Sequence, residues 1–130
     1  MKLLLDTHVV VWLISEPARL NATERAAIGA ADSELIVSAV SVWEVRAKWL
    51  AARRSNRVWH VSPRSVIDFA LANGVALVSL PPEACAAEPL SDLAHGDPFD
   101  EMLLVHAGNV GARLLTRDGK LAAHPLAYHP

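Results

Sequence analysis

Four acidic side chains, Asp6, Glu44, Asp100 and Asp118, stand where an α/β fold would collect them. Asp6 ends a first apolar strand, and Asp118 lies two residues past a fourth. Glu44 is expected in the first turn of the helix after the second strand, and Asp100 in the first turn of the helix before the fourth. Open α/β sheets take their ligands at the carboxyl ends of strands, because helix N-termini and loop amides converge there. Carboxylates gathered at one edge repel, and some would take up protons unless a cation shared them. An all-oxygen set suits Mg²⁺ or Mn²⁺, whereas zinc asks for His or Cys. Such an ion activates water and offsets charge on phosphoryl oxygens, so the chemistry in view is phosphate chemistry.

Other chemistries find less support. Glycines 29, 74, 96, 108, 111 and 119 match neither the dinucleotide nor the nucleotide phosphate loop. His8 and His95 lack the spacing of zinc ligands, and His8 is placed either to line the pocket or to pack on Trp12. Cys85 is isolated, and no Ser-His or Cys-His pair suggests a side-chain nucleophile. Each acid also has a purely structural reading. Ser41-x-x-Glu44 and Asp97-Pro98-Phe99-Asp100 both have the form of a helix cap, and Asp118-Gly119 has the form of a turn. Asp6 is hardest to explain away, since it interrupts an apolar run where a buried carboxylate needs partners.

The elements that must position these residues follow from patterning. Lys2 to Asp6, Leu35 to Ser38, Val75 to Ser79 and Ala112 to Thr116 read as short apolar strands. Asp6 to Ile14 reads as a buried helix, although the β-branched Val9 to Val11 argue against it. Asn21 or Thr23 caps a helix reaching about Ala30, Ser41 caps one through about Arg53, and Ser62-Pro63 opens one to about Asn73. Gly74 stops that helix. Two short helical pieces broken by Pro89 are expected over 83–95, a helix over 97–108, and a short helix after Asp118-Gly119. The last residues form either an edge strand or a tail. Strands separated by helices indicate a parallel sheet of four or five strands covered on both faces, a three-layer α/β/α domain.

Composition sets the outer bounds. The 130 residues are 52% hydrophobic, enough for a real core, and suit a single domain spanning 1–130. Apolar runs are too short for a membrane span. No basic, apolar leader precedes Asp6, so the expected location is cytoplasmic. The net charge of −2 hides an uneven distribution. Residues 31–65 carry six basic side chains against three acidic ones, while residues 81–101 carry six acidic ones and no Lys or Arg. Such separation can set an electropositive surface beside an anionic pocket.

Leu4–Trp12 (LLDTHVVVW), Ser38–Lys48 (SAVSVWEVRAK), Asp97–Ala107 (DPFDEMLLVHA) and Leu114–Asp118 (LLTRD) together give the chain a family likeness. It resembles the PIN-domain ribonucleases, most of all the VapC toxins of bacterial type II toxin–antitoxin pairs. The resemblance implies a PIN-like fold in which Asp6, Glu44, Asp100 and Asp118 hold Mg²⁺ or Mn²⁺ and serve catalysis. Asp97 is a candidate fifth ligand as well as a cap. Thr7, Ser41 and Thr116 match polar positions beside the acids. It further implies an RNA substrate, a cognate VapB-type antitoxin and a homodimer. Arg46, Lys48, Arg53, Arg54 and Arg57 are the candidates for RNA or antitoxin contact, with Trp49 and Trp59 flanking them. Two departures stand out: Glu101 where the family usually has Arg, and Leu104-Val105-His106-Ala107 where Ile-Ala-Gln-Ala is common.

Two other classes fit parts of the pattern. A Mg²⁺-dependent phosphatase of the haloacid-dehalogenase type also begins with a strand and an aspartate, but it wants a second Asp where this chain has His8. A non-catalytic α/β module that binds a partner protein leaves four converging acids without a purpose.

Overall fold

The computed structural model describes residues 1–88 and 97–130. Expectations that fall on Pro89, on His95 and on a second helical piece before Asp97 lie outside the described residues.

Five strands form one all-parallel sheet: β1 (Lys2–Leu5), β2 (Glu34–Ser38), β3 (Ala76–Val78), β4 (Arg113–Leu115) and β5 (Ala127–Tyr128), in spatial order β3-β2-β1-β4-β5. The chain ends in the edge strand. Helices α1 (Thr7–Ser15), α2 (Ala22–Gly29), α3 (Ala39–Arg54), α4 (Pro63–Ala72), α5 (Pro82–Ala86) and α6 (Pro98–Asn109) make the crossovers among β1 to β4, and turns carry the chain from β4 to β5. The period-2 alternation of the strands separates two cores. Leu3, Leu5, Val37 and Leu115 pack on one face with Val9, Val10, Val45 and Val66. Leu4, Ile36 and Leu114 pack on the other with Leu103, Leu104 and Ala107. The sheet is thus covered on both faces, as the apolar strands require.

α1 forms despite Val9 to Val11, because burying Val9 and Val10 against the sheet outweighs a few tenths of a kcal/mol of propensity. Several caps follow the sequence. Asn21 and Glu24 close a reciprocal capping box on α2. Ser62 accepts from the Ser65 amide, and Asp97 accepts from the Phe99 amide at 2.9 Å. Gly74 and Gly111 adopt φ of +64° and +69°, which lets the chain reverse after α4 and α6.

Two expectations need correction. α3 begins at Ala39 with Ser38 as its cap, the Ser38 hydroxyl accepting from the Val40 amide at 3.0 Å. Ser41 therefore lies inside the helix, and Glu44 sits in its second turn, not its first. The apolar pattern continues unbroken from strand to helix here, so nothing local marks the junction. After Asp118 the chain makes turns instead of a short helix.

Candidate active site

The strand order reverses beside β1, whose neighbours are β2 and β4. β1 pairs with β4 as Leu3–Arg113, Leu4–Leu114 and Leu5–Leu115. The Asp6 amide donates to the Leu115 carbonyl at 3.0 Å, and the next step of that register brings Asp6 beside Thr116. The site is therefore at the crevice where doubly wound sheets bind ligands.

Asp6 is 3% exposed. Its Oδ2 accepts from the Thr116 hydroxyl at 2.7 Å. Burial pushes its carboxyl above the ordinary carboxylate range. Thr116, the His8 imidazole and the Thr7 amide act against that shift, while the Glu44 charge adds to it. Glu44 is itself only 6% exposed and comes from α3, across the crevice. Lys48, one helical turn on, places its ammonium 3.0 Å from Glu44 Oε2. Lys48 is thus a counterion within the site, which narrows its role as an outward contact.

Thr7 and Ser41, both buried, share a hydrogen bond of 2.9 Å that ties the start of α1 to α3. They hold together the helices beside Asp6 and Glu44. His8 is exposed, and its ring lies 6.1 Å from that of Trp12. Asp118 lies in the turn after β4. Its amide donates to Thr116 Oγ1 at 3.0 Å, and its Oδ1 accepts from the Lys120 amide at 2.9 Å. Thr116 thereby links Asp6 to Asp118. Asp100 is half-buried in the first turn of α6, behind the Asp97 cap.

The arrangement is open. Among the described residues, no three acidic, histidine or cysteine side chains close into a metal cage. Asp6 and Glu44 are the two buried acids and feel each other's charge, with Asp100 and Asp118 on flanking elements. The donor chemistry still fits a hard divalent ion: it is oxygen-only, and burial and a like charge already work against Asp6 holding its charge. Mg²⁺ commonly binds through one or two carboxylates and keeps several waters.

Several participants escaped the sequence pattern. Arg117, between Thr116 and Asp118, reaches back 93 residues to a buried Glu24, with Nε 2.7 Å from Oε1 and Nη2 on Oε2. Ser38 and His106 share a buried hydrogen bond of 2.8 Å that joins the β2–α3 junction to α6. His106 is therefore internal, and burial lowers its pKa. Its Nε2 has no partner among the described residues. Asn21 or Thr23 announced a helix start, but nothing nearby pointed to the arginine that Glu24 binds.

On the outer face of α3, Arg46 stacks over Trp43 at 4.5 Å and Arg53 over Trp49 at 4.8 Å. Arg46, Arg53, Arg54 and Arg57 are exposed and have no carboxylate partner among the described residues. Trp43, at 56% exposure, is the open indole. Trp59 instead packs against the core with its Nε1 buried, so it does not flank the arginines as an exposed ring.

The pattern of the PIN domain family matches residues 3–125. Ribonuclease VapC22 of Mycobacterium tuberculosis is 37% identical over 122 residues, covering 93% of this chain and 90% of that protein. A chain from the crystal structure of VapBC2 of Rickettsia felis, bound to a DNA fragment from its promoter, superimposes with a TM-score of 0.69. That match is 15% identical and covers 100% of this chain and 98% of the other, so it speaks for the fold. Motif order, the acids at the switch point and these matches converge: the chain belongs to the PIN-domain family, in its VapC branch.

Proposed function

We propose that the protein is the toxin of a toxin–antitoxin pair, an endoribonuclease that hydrolyses RNA phosphodiester bonds with Mg²⁺ or Mn²⁺. The observation that carries this reading is Asp6. A carboxylate 3% exposed, at the switch point and opposed by Glu44, is costly without a cation to share. A divalent ion held there supplies an acidified water and charge compensation on the scissile phosphate. Asp6 and Glu44 would hold it, with Asp100 and Asp118 directly or through water. Thr116 fixes the Asp6 carboxylate, and the Thr7–Ser41 bond fixes the spacing of the helices beside the pair. The cut leaves a 5′-phosphate and a 3′-hydroxyl.

Arg46, Arg53, Arg54 and Arg57 would meet the RNA backbone or the antitoxin, positioning without reading sequence. The relatives' names support a VapB-type antitoxin as partner. A homodimer in the cytoplasm completes the reading; no helix among the described residues is long and apolar enough to cross a membrane. The test is incubation with structured RNA in Mg²⁺ and in EDTA, beside an Asp6→Asn variant. Internal cleavage that needs both the metal and Asp6 supports the proposal. Cleavage undiminished by Asp6→Asn refutes it, and hydrolysis of a small phosphomonoester alone would move the protein to the phosphatases.

A further inference from the structure

Arg117 is held by several partners, although its side chain remains partly exposed. Its guanidinium forks onto Glu24 through Nε and Nη2, donates from Nη2 to the Arg19 carbonyl at 2.7 Å, and lies 4.4 Å from the Trp12 ring centre. Arg19 stacks on the same indole at 5.0 Å. The Arg117 carbonyl accepts from His129 Nε2 at 3.2 Å, so the backbone is tied as well. Glu24 in turn accepts from the Asn21 amide at 2.9 Å, which anchors it to the start of α2. The pair joins a buried carboxylate to a guanidinium that is still partly in water, so solvent limits what it adds to stability. What it provides is a fixed direction. Here that direction is imposed on the residue immediately before Asp118, in a turn that would otherwise be among the more mobile parts of such a fold.

We infer that Arg117, locked by Glu24 and Trp12, is a positioning residue that holds the turn so that the Asp118 carboxylate meets the cation. This rests on the reading of Asp118 as a metal-site acid. The peptide joining Arg117 to Asp118 is then held at both ends: Thr116 Oγ1 takes its N–H and His129 its carbonyl, while the Arg117 side chain anchors the residue to Glu24. Partners standing behind metal ligands typically contribute 10–100-fold to metal affinity.

The test uses the full chain and Mn²⁺, with binding followed by the electron paramagnetic resonance of the free ion. Glu24→Gln and Arg117→Met should each weaken Mn²⁺ binding by about tenfold. In EDTA both should also speed hydrogen exchange at the Asp118 amide, a readout that needs no metal. Val66→Ala, a core truncation in α4 remote from the acids in sequence, serves as the control for stability loss, with melting temperatures measured throughout. If the two variants shift Mn²⁺ affinity and exchange no more than Val66→Ala does, the inference is overturned. Asp118→Asn separates the premise from the device. Unchanged Mn²⁺ affinity in that variant removes Asp118 from the metal site and the inference with it, while the ribonuclease reading is judged by Asp6→Asn.

Discussion

Replacing Asp6 with Asn should make the metal-free protein more stable while abolishing its activity. Asn keeps an oxygen to accept the Thr116 hydroxyl, which lies 2.7 Å from Asp6 Oδ2. It removes a charge that burial disfavours and that Glu44 repels. Substitutions that relieve strain at active sites commonly add about 0.5–2 kcal/mol. For 130 residues the unfolding entropy is roughly 0.27 kcal/mol/K, so 1 kcal/mol corresponds to about 4 °C in Tm. The wild type should overtake the variant once Mg²⁺ is added, because an ion at a hundred times its Kd contributes about 2.7 kcal/mol to the folded state. The assay is thermal unfolding of both proteins in EDTA and in saturating Mg²⁺, beside RNA cleavage. Crossing of the two orders is the signature. A variant less stable than wild type in EDTA would refute the account of Asp6 as a strained carboxylate, since its hydrogen bond would then outweigh its charge.

Three further outcomes follow from individual contacts. His106 is buried neutral with its pKa lowered, so its contribution is complete above its ordinary value near 6.5 and is lost as pH falls below it. His106→Gln should flatten the fall in Tm between about pH 6.5 and 5, and an unchanged pH profile would discount the buried imidazole. Lys48 occupies the flank of Glu44, so Lys48→Met should enlarge the rise in Tm on adding Mg²⁺. An equal rise in both proteins would mean that the ammonium does not stand in for a cation. Arg53→Glu with Arg54→Glu should weaken RNA binding and reduce the log–log salt slope by about 1.4, taking about 0.7 per lost single-strand phosphate contact. Tm should fall only slightly, because neither arginine has a carboxylate partner among the described residues and the loss is confined to the Arg53 stack on Trp49 and the charge at the end of α3.

What was legible in the sequence is what has a one-dimensional signature. The strands announced themselves as apolar runs, the helix starts as Asn21, Ser62-Pro63 and Asp97-Pro98, and the parallel sheet as their alternation. The acids followed from the strand ends. The start of α3 was misplaced by three residues because Ser38 and Ser41 are both good caps by type. Only the tertiary fold decides between them, sending Ser41 to Thr7 and leaving Ser38 to cap. Lys48 was readable as a helical i,i+4 partner of Glu44, yet as one of a basic run it looked like an outward charge. Arg117–Glu24 and His106–Ser38 span 93 and 68 residues, and no local pattern pairs positions that far apart.

These long pairs share a logic with the acids they surround. Eight polar or charged residues are buried among those described: Asp6, Thr7, Glu24, Ser38, Ser41, Glu44, His106 and Thr116. Asp6 and Glu44 are the opposed carboxylates. The other six belong to three long-range contacts and the Thr116 link, each joining segments far apart in sequence and each ending beside an element that carries an acid. Thr116 holds Asp6 and the Asp118 amide. Thr7 with Ser41 spans α1 and α3, Ser38 with His106 spans the β2–α3 junction and α6, and Glu24 grips the residue before Asp118. Elsewhere the interior is apolar and tolerates rearrangement within its volume. Repelling carboxylates would drift apart on such a core, so directional bonds are concentrated where drift would disperse the site. Removing one of these contacts should therefore change metal affinity more than its modest effect on folding would suggest.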